Sequence, residues 1–193
     1  MLNTGAGFKA DLEDNLTNAG TGQNYGVELT IEKFFSKGYY ALFTSSLYDS
    51  KYKGSDGVEH NTAFNGKYVI NFLAGKEWAV GKRKKLSLDF KYTNAGGRAF
   101  TPINLTASNA AGREVLSTNA YSDFYDNYFR MDVKVGYTIN SAKRKLSQTI
   151  SLDIQNITNH KNIFSQSYNA GSNSIKTNYQ LGLFPNVVYK IQL

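Results

Sequence analysis

The chain has 193 residues, of which 41% are hydrophobic and 19% charged, with no cysteine and a formal net charge of +7. That balance excludes a disordered polyelectrolyte, a disulfide scaffold and any thiolate metal site. No run approaches the roughly 18 apolar residues of a transmembrane helix, but the mean hydropathy of -0.43 is compatible with membrane β-strands, which need an apolar residue only at every second position.

The first stretch, Met1 to Ala10, lacks a basic region followed by an apolar one, so no secretory signal is expected there. Residues 1–23 are expected to be a loop and the end of a preceding strand. From residue 24 onward, seven segments alternate with period two, the signature of strands.

The segment 24–35 sets Val27, Leu29 and Ile31 against Glu28, Thr30 and Glu32. The segment 39–50 is mixed, with Ala41, Phe43 and Leu47 against Thr44, Ser46 and Tyr48. Between 62 and 78, Phe64, Tyr68, Ile70, Phe72 and Trp78 oppose Asn65, Lys67, Asn71 and Glu77. Between 85 and 93, Leu86, Leu88, Phe90 and Tyr92 oppose Ser87, Asp89, Lys91 and Thr93.

The longest clean alternation, 127–140, places Phe129, Met131, Val133, Val135, Tyr137 and Ile139 opposite Arg130, Asp132, Lys134, Gly136, Thr138 and Asn140. Segment 149–155 sets Ile150, Leu152 and Ile154 against Ser151, Asp153 and Gln155. A last strand is expected over 177–193, with Tyr179, Leu181, Leu183, Val187, Tyr189, Ile191 and Leu193 on one face.

The connections alternate in length. Short ones fall at 36–38, 79–84 and 140–145, and long ones at 51–61, 94–126 and 158–176. Outer-membrane barrels have short periplasmic turns and long extracellular loops, which makes this rhythm. Aromatic residues mark both ends of the strands: Phe35, Tyr39, Trp78, Tyr137 and Tyr189 near the short turns, and Tyr25, Tyr48, Phe64, Tyr92, Phe129 and Tyr179 near the long loops. Two such belts suit the two interfaces of a bilayer. The eight steps from Phe129 to Tyr137 and the ten from Tyr179 to Tyr189 span roughly 20–25 Å in tilted strands. The opposite face, with Asp89, Lys91, Arg130, Asp132, Lys134 and Asp153, is expected to line a lumen.

The basic tract Lys82, Arg83, Lys84 and Lys85 is read as a solvated turn rather than a nucleic-acid patch. The end of the chain, Tyr189, Ile191 and Leu193, resembles the signal recognised by the outer-membrane barrel assembly machinery, although its usual last residue is aromatic.

Several stretches in series carry a wider resemblance: Asn24 to Thr30, Lys37 to Tyr40, Ser46 to Tyr52, Asn61 to Asn65, Gly96-Gly97-Arg98, Tyr128 to Asp132 and Asp153 to Asn159. In this order they resemble the C-terminal part of the barrel of TonB-dependent outer-membrane receptors of the Bacteroidetes type. The resemblance implies an all-β fold, an antiparallel transmembrane β-barrel segment of about seven strands from a larger barrel. It also implies the bacterial outer membrane and active uptake of an iron–siderophore complex, cobalamin or a glycan. The implied partners are outer-membrane lipids, the rest of the barrel and its plug, and TonB through an N-terminal part. Neither a plug domain nor a TonB-binding segment is expected within 1–193.

No enzyme, cofactor or metal site is expected. His60 and His160 stand in separate loops, and the acids match no calcium-loop spacing. The loop 94–126 is the candidate ligand-binding element. Its Arg98, Phe100, Arg113, Tyr121, Phe124 and Tyr125 suit sugars or anionic chelates through stacking and bidentate hydrogen bonds. Two other readings stay open: a complete eight-stranded barrel with a structural or adhesion role, in which residues 6–12 supply a strand, and a soluble carbohydrate-binding β-sandwich.

Overall fold

The computed structural model describes residues 19–142 and 145–192. The expectations for residues 1–18, including a strand at 6–12, and for Leu193 lie outside them. The chain is all-β with one short helix: β1 (Thr21–Ser36), β2 (Tyr39–Lys53), β3 (Glu59–Asn61), β4 (Tyr68–Ala79), β5 (Lys84–Ala95), β6 (Ala99–Phe100), α1 (Leu105–Ala111), β7 (Asp123–Phe124), β8 (Tyr128–Asn140), β9 (Ser147–Gln155), β10 (Ile163–Asn169), β11 (Ser174–Tyr179) and β12 (Phe184–Gln192).

Seven long strands form one antiparallel meander in the order β1-β2-β4-β5-β8-β9-β12, with β3 pairing alongside β2. The sheet does not close: β1 and β12 are its two edges among the described residues. Only two-stranded sheets, β10-β11 and β6-β7, accompany it. Among the described residues no second layer faces the main sheet, so they do not form the sandwich expected in the alternative reading.

Register carries the period-two pattern across the whole sheet. One rank runs Ala41, Ala74, Phe90, Val133, Ile154 and Pro185. Another runs Trp78, Leu86, Tyr137, Ile150 and Tyr189. These side chains share one face because each pairing keeps the pleats in phase. That face is uncovered: Leu88 is 42% exposed, Leu152 41% and Val187 67%. Among the described residues the only buried hydrophobic side chain is Ala99. The chain therefore leaves an apolar surface many strands wide without a protein core beneath it.

The other face carries ranks such as Thr44, Asn71, Thr93 and Arg130, and Tyr40, Gly75, Asp89, Lys134 and Asp153. Leu42, Leu73, Val69, Phe184 and Val188 are among its apolar exceptions. Arg130 reaches Asp132 at 2.7 Å and donates to Gln155 at 2.9 Å, while the Asp132 carboxylate also accepts the Asn156 amide at 2.8 Å.

The short connections 37–38 and 80–83 and the described parts of the third, 141–142 and 145–146, lie at one edge, and 54–67, 96–127 and 156–183 at the other. The tightest is a two-residue hairpin in which Lys37 (φ 53°) and Gly38 (φ 78°) both lie in the left-handed region, as a type I′ turn demands.

Several boundaries differ from the sequence expectation. The strand expected from 62 begins only at Tyr68, because the 62–67 stretch turns back on itself around a buried Asn65. The strand expected over 177–193 breaks at 180–183. Tyr179 pairs with Ile163 in a separate hairpin, and the sheet resumes at Phe184. The loops at 94–126 and 158–176 hold the short helix α1 and the strands β6, β7 and β10, with the start of β11.

The aromatic belts are corrected accordingly. Tyr39, Trp78, Tyr137 and Tyr189 stand on the apolar face near the short turns, and Tyr92 and Phe129 stand on it near the long loops, edge to face at 5.7 Å. A register shift between Lys33 and Ser36 leaves Phe34 and Phe35 both exposed. Tyr48 sits on the polar face, since it alternates with Leu47. Phe64 and Tyr179 lie outside the main sheet, so neither belongs to a belt carried by its strands.

Candidate ligand cavity at the long-loop edge

The three long connections fold into one cap. Asn61 donates to the Tyr121 carbonyl at 3.1 Å, tying the first loop to the second, and the Tyr52 ring of β2 meets the Tyr121 ring edge-on at 6.4 Å. Arg98 donates to the Phe164 carbonyl at 2.7 Å, and Glu114 accepts the Tyr168 amide at 2.9 Å, tying the second to the third. The Tyr168 hydroxyl adds a 2.9 Å bond to Asn109 of α1.

Local chemistry explains how each limb holds its shape. Asn104 caps α1 by accepting the Ala107 amide at 3.0 Å, and Gly112 closes it in the left-handed conformation. Ser108, fully buried, accepts the Val115 amide at 2.9 Å and fastens the helix to the returning chain. Asn162 brackets Phe129, accepting its amide and donating to its carbonyl, both at 2.8 Å. A side-chain amide thus stands in for a neighbouring strand. Asn65 accepts the Ser50 amide at 3.1 Å and donates to Asp49 at 2.7 Å and Asn61 at 2.9 Å. Asp49 also accepts the Tyr25 hydroxyl at 3.0 Å and pairs with Lys67.

Beneath the cap lies a cavity of about 340 Å³. Its floor is the upper end of the polar face: Tyr48, Val69, Ala95 and Tyr128. Its walls are Phe64, Gly96 to Arg98, Tyr125, Asp126, Asn162, Ile163 and Gln180. Gly97 is required here, because a Cβ on it would overlap the Tyr125 carbonyl. A second, more polar cavity of about 410 Å³ is lined by Lys51, Glu59, His60, Asn61, Tyr121, Ser122 and Phe124, among others.

The structure divides the residues expected to bind a ligand. Arg98 and Tyr125 line the first cavity, and Phe100 stacks flat on Tyr125, centroids 4.1 Å apart. Tyr121 and Phe124 line the second; partial burial raises the phenol pKa of Tyr121. Arg113 is exposed just past the cap of α1 and lines neither of these two cavities. Tyr48, Tyr128, Asn162 and Gln180 were not expected. Tyr48 and Tyr128 were legible in principle, as aromatic residues on the polar parity of their strands toward the long-loop edge; Asn162 and Gln180 arrive through loop folding, which leaves no periodic trace.

The first cavity can hold a compact ring-bearing group by stacking on tyrosine and phenylalanine faces, with Asp126 and Gln180 at its polar margin. Among the described residues no group of three or more His, Cys, Asp or Glu could hold a metal ion. No protein-family model, curated protein or solved structure matches this chain.

Proposed function

We propose that this chain forms part of the wall of a bacterial outer-membrane β-barrel of the TonB-dependent receptor type, in which it contributes to active uptake of a large nutrient. The observation that carries the membrane half of this reading is the uncovered apolar face. Transmembrane barrel strands point apolar side chains outward and polar ones to the lumen, and need no internal hydrophobic core. A water-soluble sheet would bury that face, because leaving it wet costs about 25 cal/mol for each Å².

Two further features support it. The long loops gather at one edge and cap a cavity on the polar side, as a surface-exposed mouth requires. Among the described residues β1 and β12 each have a free edge, which in lipid must be paired with further strands. Partners of the assembled barrel are then outer-membrane lipids, the remaining strands and plug, the barrel assembly machinery, and TonB through the plug-bearing part. The receptor type rests on the serial resemblance of the stretches from Asn24 to Asn159.

The test is fractionation. The chain, exported behind a signal peptide, is expected in the outer-membrane fraction and to resist carbonate extraction. Recovery as a detergent-free monomer with a cooperative melt would remove the reading.

A further inference from the structure

The excess positive charge is concentrated at one edge of the sheet. The three long connections hold five carboxylates and five Lys or Arg side chains, which cancel. At the opposite edge, the short connections and the start of β5 present Lys37, Lys82, Arg83, Lys84, Lys85 and Lys145, with no acid among the described residues of those stretches. All six are exposed. Among the described residues only Lys85 has a carboxylate partner there, Glu77 at 3.2 Å.

This rim borders the apolar face directly. Trp78, Leu86, Tyr137, Ile150 and Tyr189 make the last full rank of that face. Lys84 lies two residues beyond Leu86, roughly 7 Å further along the strand. An apolar band, then aromatic rings, then cations is the order in which a bilayer presents acyl chains, interface and phosphates.

We propose that the short-turn rim is a docking surface for anionic phospholipid headgroups of the leaflet at that edge. The inference rests on the membrane reading and adds a lipid preference to it. The unpaired ammonium and guanidinium groups engage headgroup phosphates, while the neighbouring rings sit at the level of the ester groups. Each such side chain strengthens attachment to an anionic surface about fivefold, and salt screens the effect.

Trp78 is the sole tryptophan, which makes the rim self-reporting. The full chain, folded in detergent micelles, is titrated with brominated phosphatidylglycerol or brominated phosphatidylcholine while Trp78 emission is followed. The anionic lipid is expected to quench at least tenfold more efficiently at low salt, and the advantage is expected to shrink at high salt. Replacing Lys82, Arg83, Lys84 and Lys85 together by glutamine is expected to abolish the advantage while leaving quenching by phosphatidylcholine intact. Equal quenching of the wild-type chain by both lipids would overturn the lipid preference alone. Absence of quenching by either would overturn the membrane reading with it. Displacement of the anionic lipid by a short DNA duplex at equal phosphate concentration would reassign the rim to nucleic acid.

Discussion

The hydroxyl of Tyr40 donates a 2.9 Å hydrogen bond to Oδ1 of Asp89, two strands away, by passing over Gly75. The three residues share one rank of the polar face, with Gly75 of β4 between Tyr40 of β2 and Asp89 of β5. A Cβ on Gly75 would overlap both the Tyr40 ring and the Asp89 carboxylate. The glycine is therefore the slot in which the phenol lies.

Gly75→Ala is expected to lift the Tyr40 ring off the sheet and to cost about 1–3 kcal/mol through overpacking and the lost bond. Tyr40→Phe removes only the bond and should cost about 1 kcal/mol. Denaturant unfolding in micelles measures both. Equal costs would mean that the slot, as opposed to the hydrogen bond, contributes nothing.

Val133 and Lys134 are adjacent on β8 and point to opposite faces. Val133→Arg should destabilise a membrane-inserted barrel by about 2–4 kcal/mol, because it sets a guanidinium near mid-bilayer. Lys134→Arg, on the polar face opposite Asp89 and Asp153, should be nearly silent. Heat-modifiability on gels reports the difference, and similar effects from both changes would contradict the face assignment.

Asn156 is 2% exposed and adopts φ 51°. Its side chain donates to the His160 carbonyl at 2.9 Å and accepts the His160 amide at 3.1 Å. Asn156→Ala loses these bonds and strains the backbone, for about 2–4 kcal/mol. Asn156→Gly keeps the backbone conformation and loses the bonds alone, so it should be the milder change. Limited proteolysis of 156–183 is expected to rank the variants wild type, glycine, alanine in rising cleavage.

Asp56 accepts a 2.7 Å hydrogen bond from the buried His60 Nε2, and this bond chiefly holds its carboxyl below the ordinary range. A depressed folded pKa stabilises the folded loop above the unfolded value, near 3.9, and that contribution disappears as pH falls through the lower folded value. Amide exchange in 54–58 should therefore quicken below about pH 4 beyond its intrinsic pH dependence. Asp56→Asn should show the quicker exchange at neutral pH and lose the acid-dependent step.

Which side of the sheet each β8 side chain occupies was written in the order of residues from Phe129 to Ile139, since the pleat is local and alternates with every residue. The positions of the short turns were also legible, because turn-prone polar and glycine runs such as Ser36-Lys37-Gly38 interrupt the period-two alternation. Tertiary structure alone decided the rest. Phe64 and Tyr179 keep the strand parity of their neighbours yet leave the sheet, because buried Asn65 and the β10-β11 pairing outcompete extension of the ladder. The cap over the cavity depends on Asn61 finding Tyr121 and Arg98 finding Phe164, and the polar slot on Tyr40 finding Asp89. Those partners stand some fifty to seventy residues apart; strand register brings Tyr40 to Asp89, and the folding of the long connections brings the other two pairs within hydrogen-bond reach.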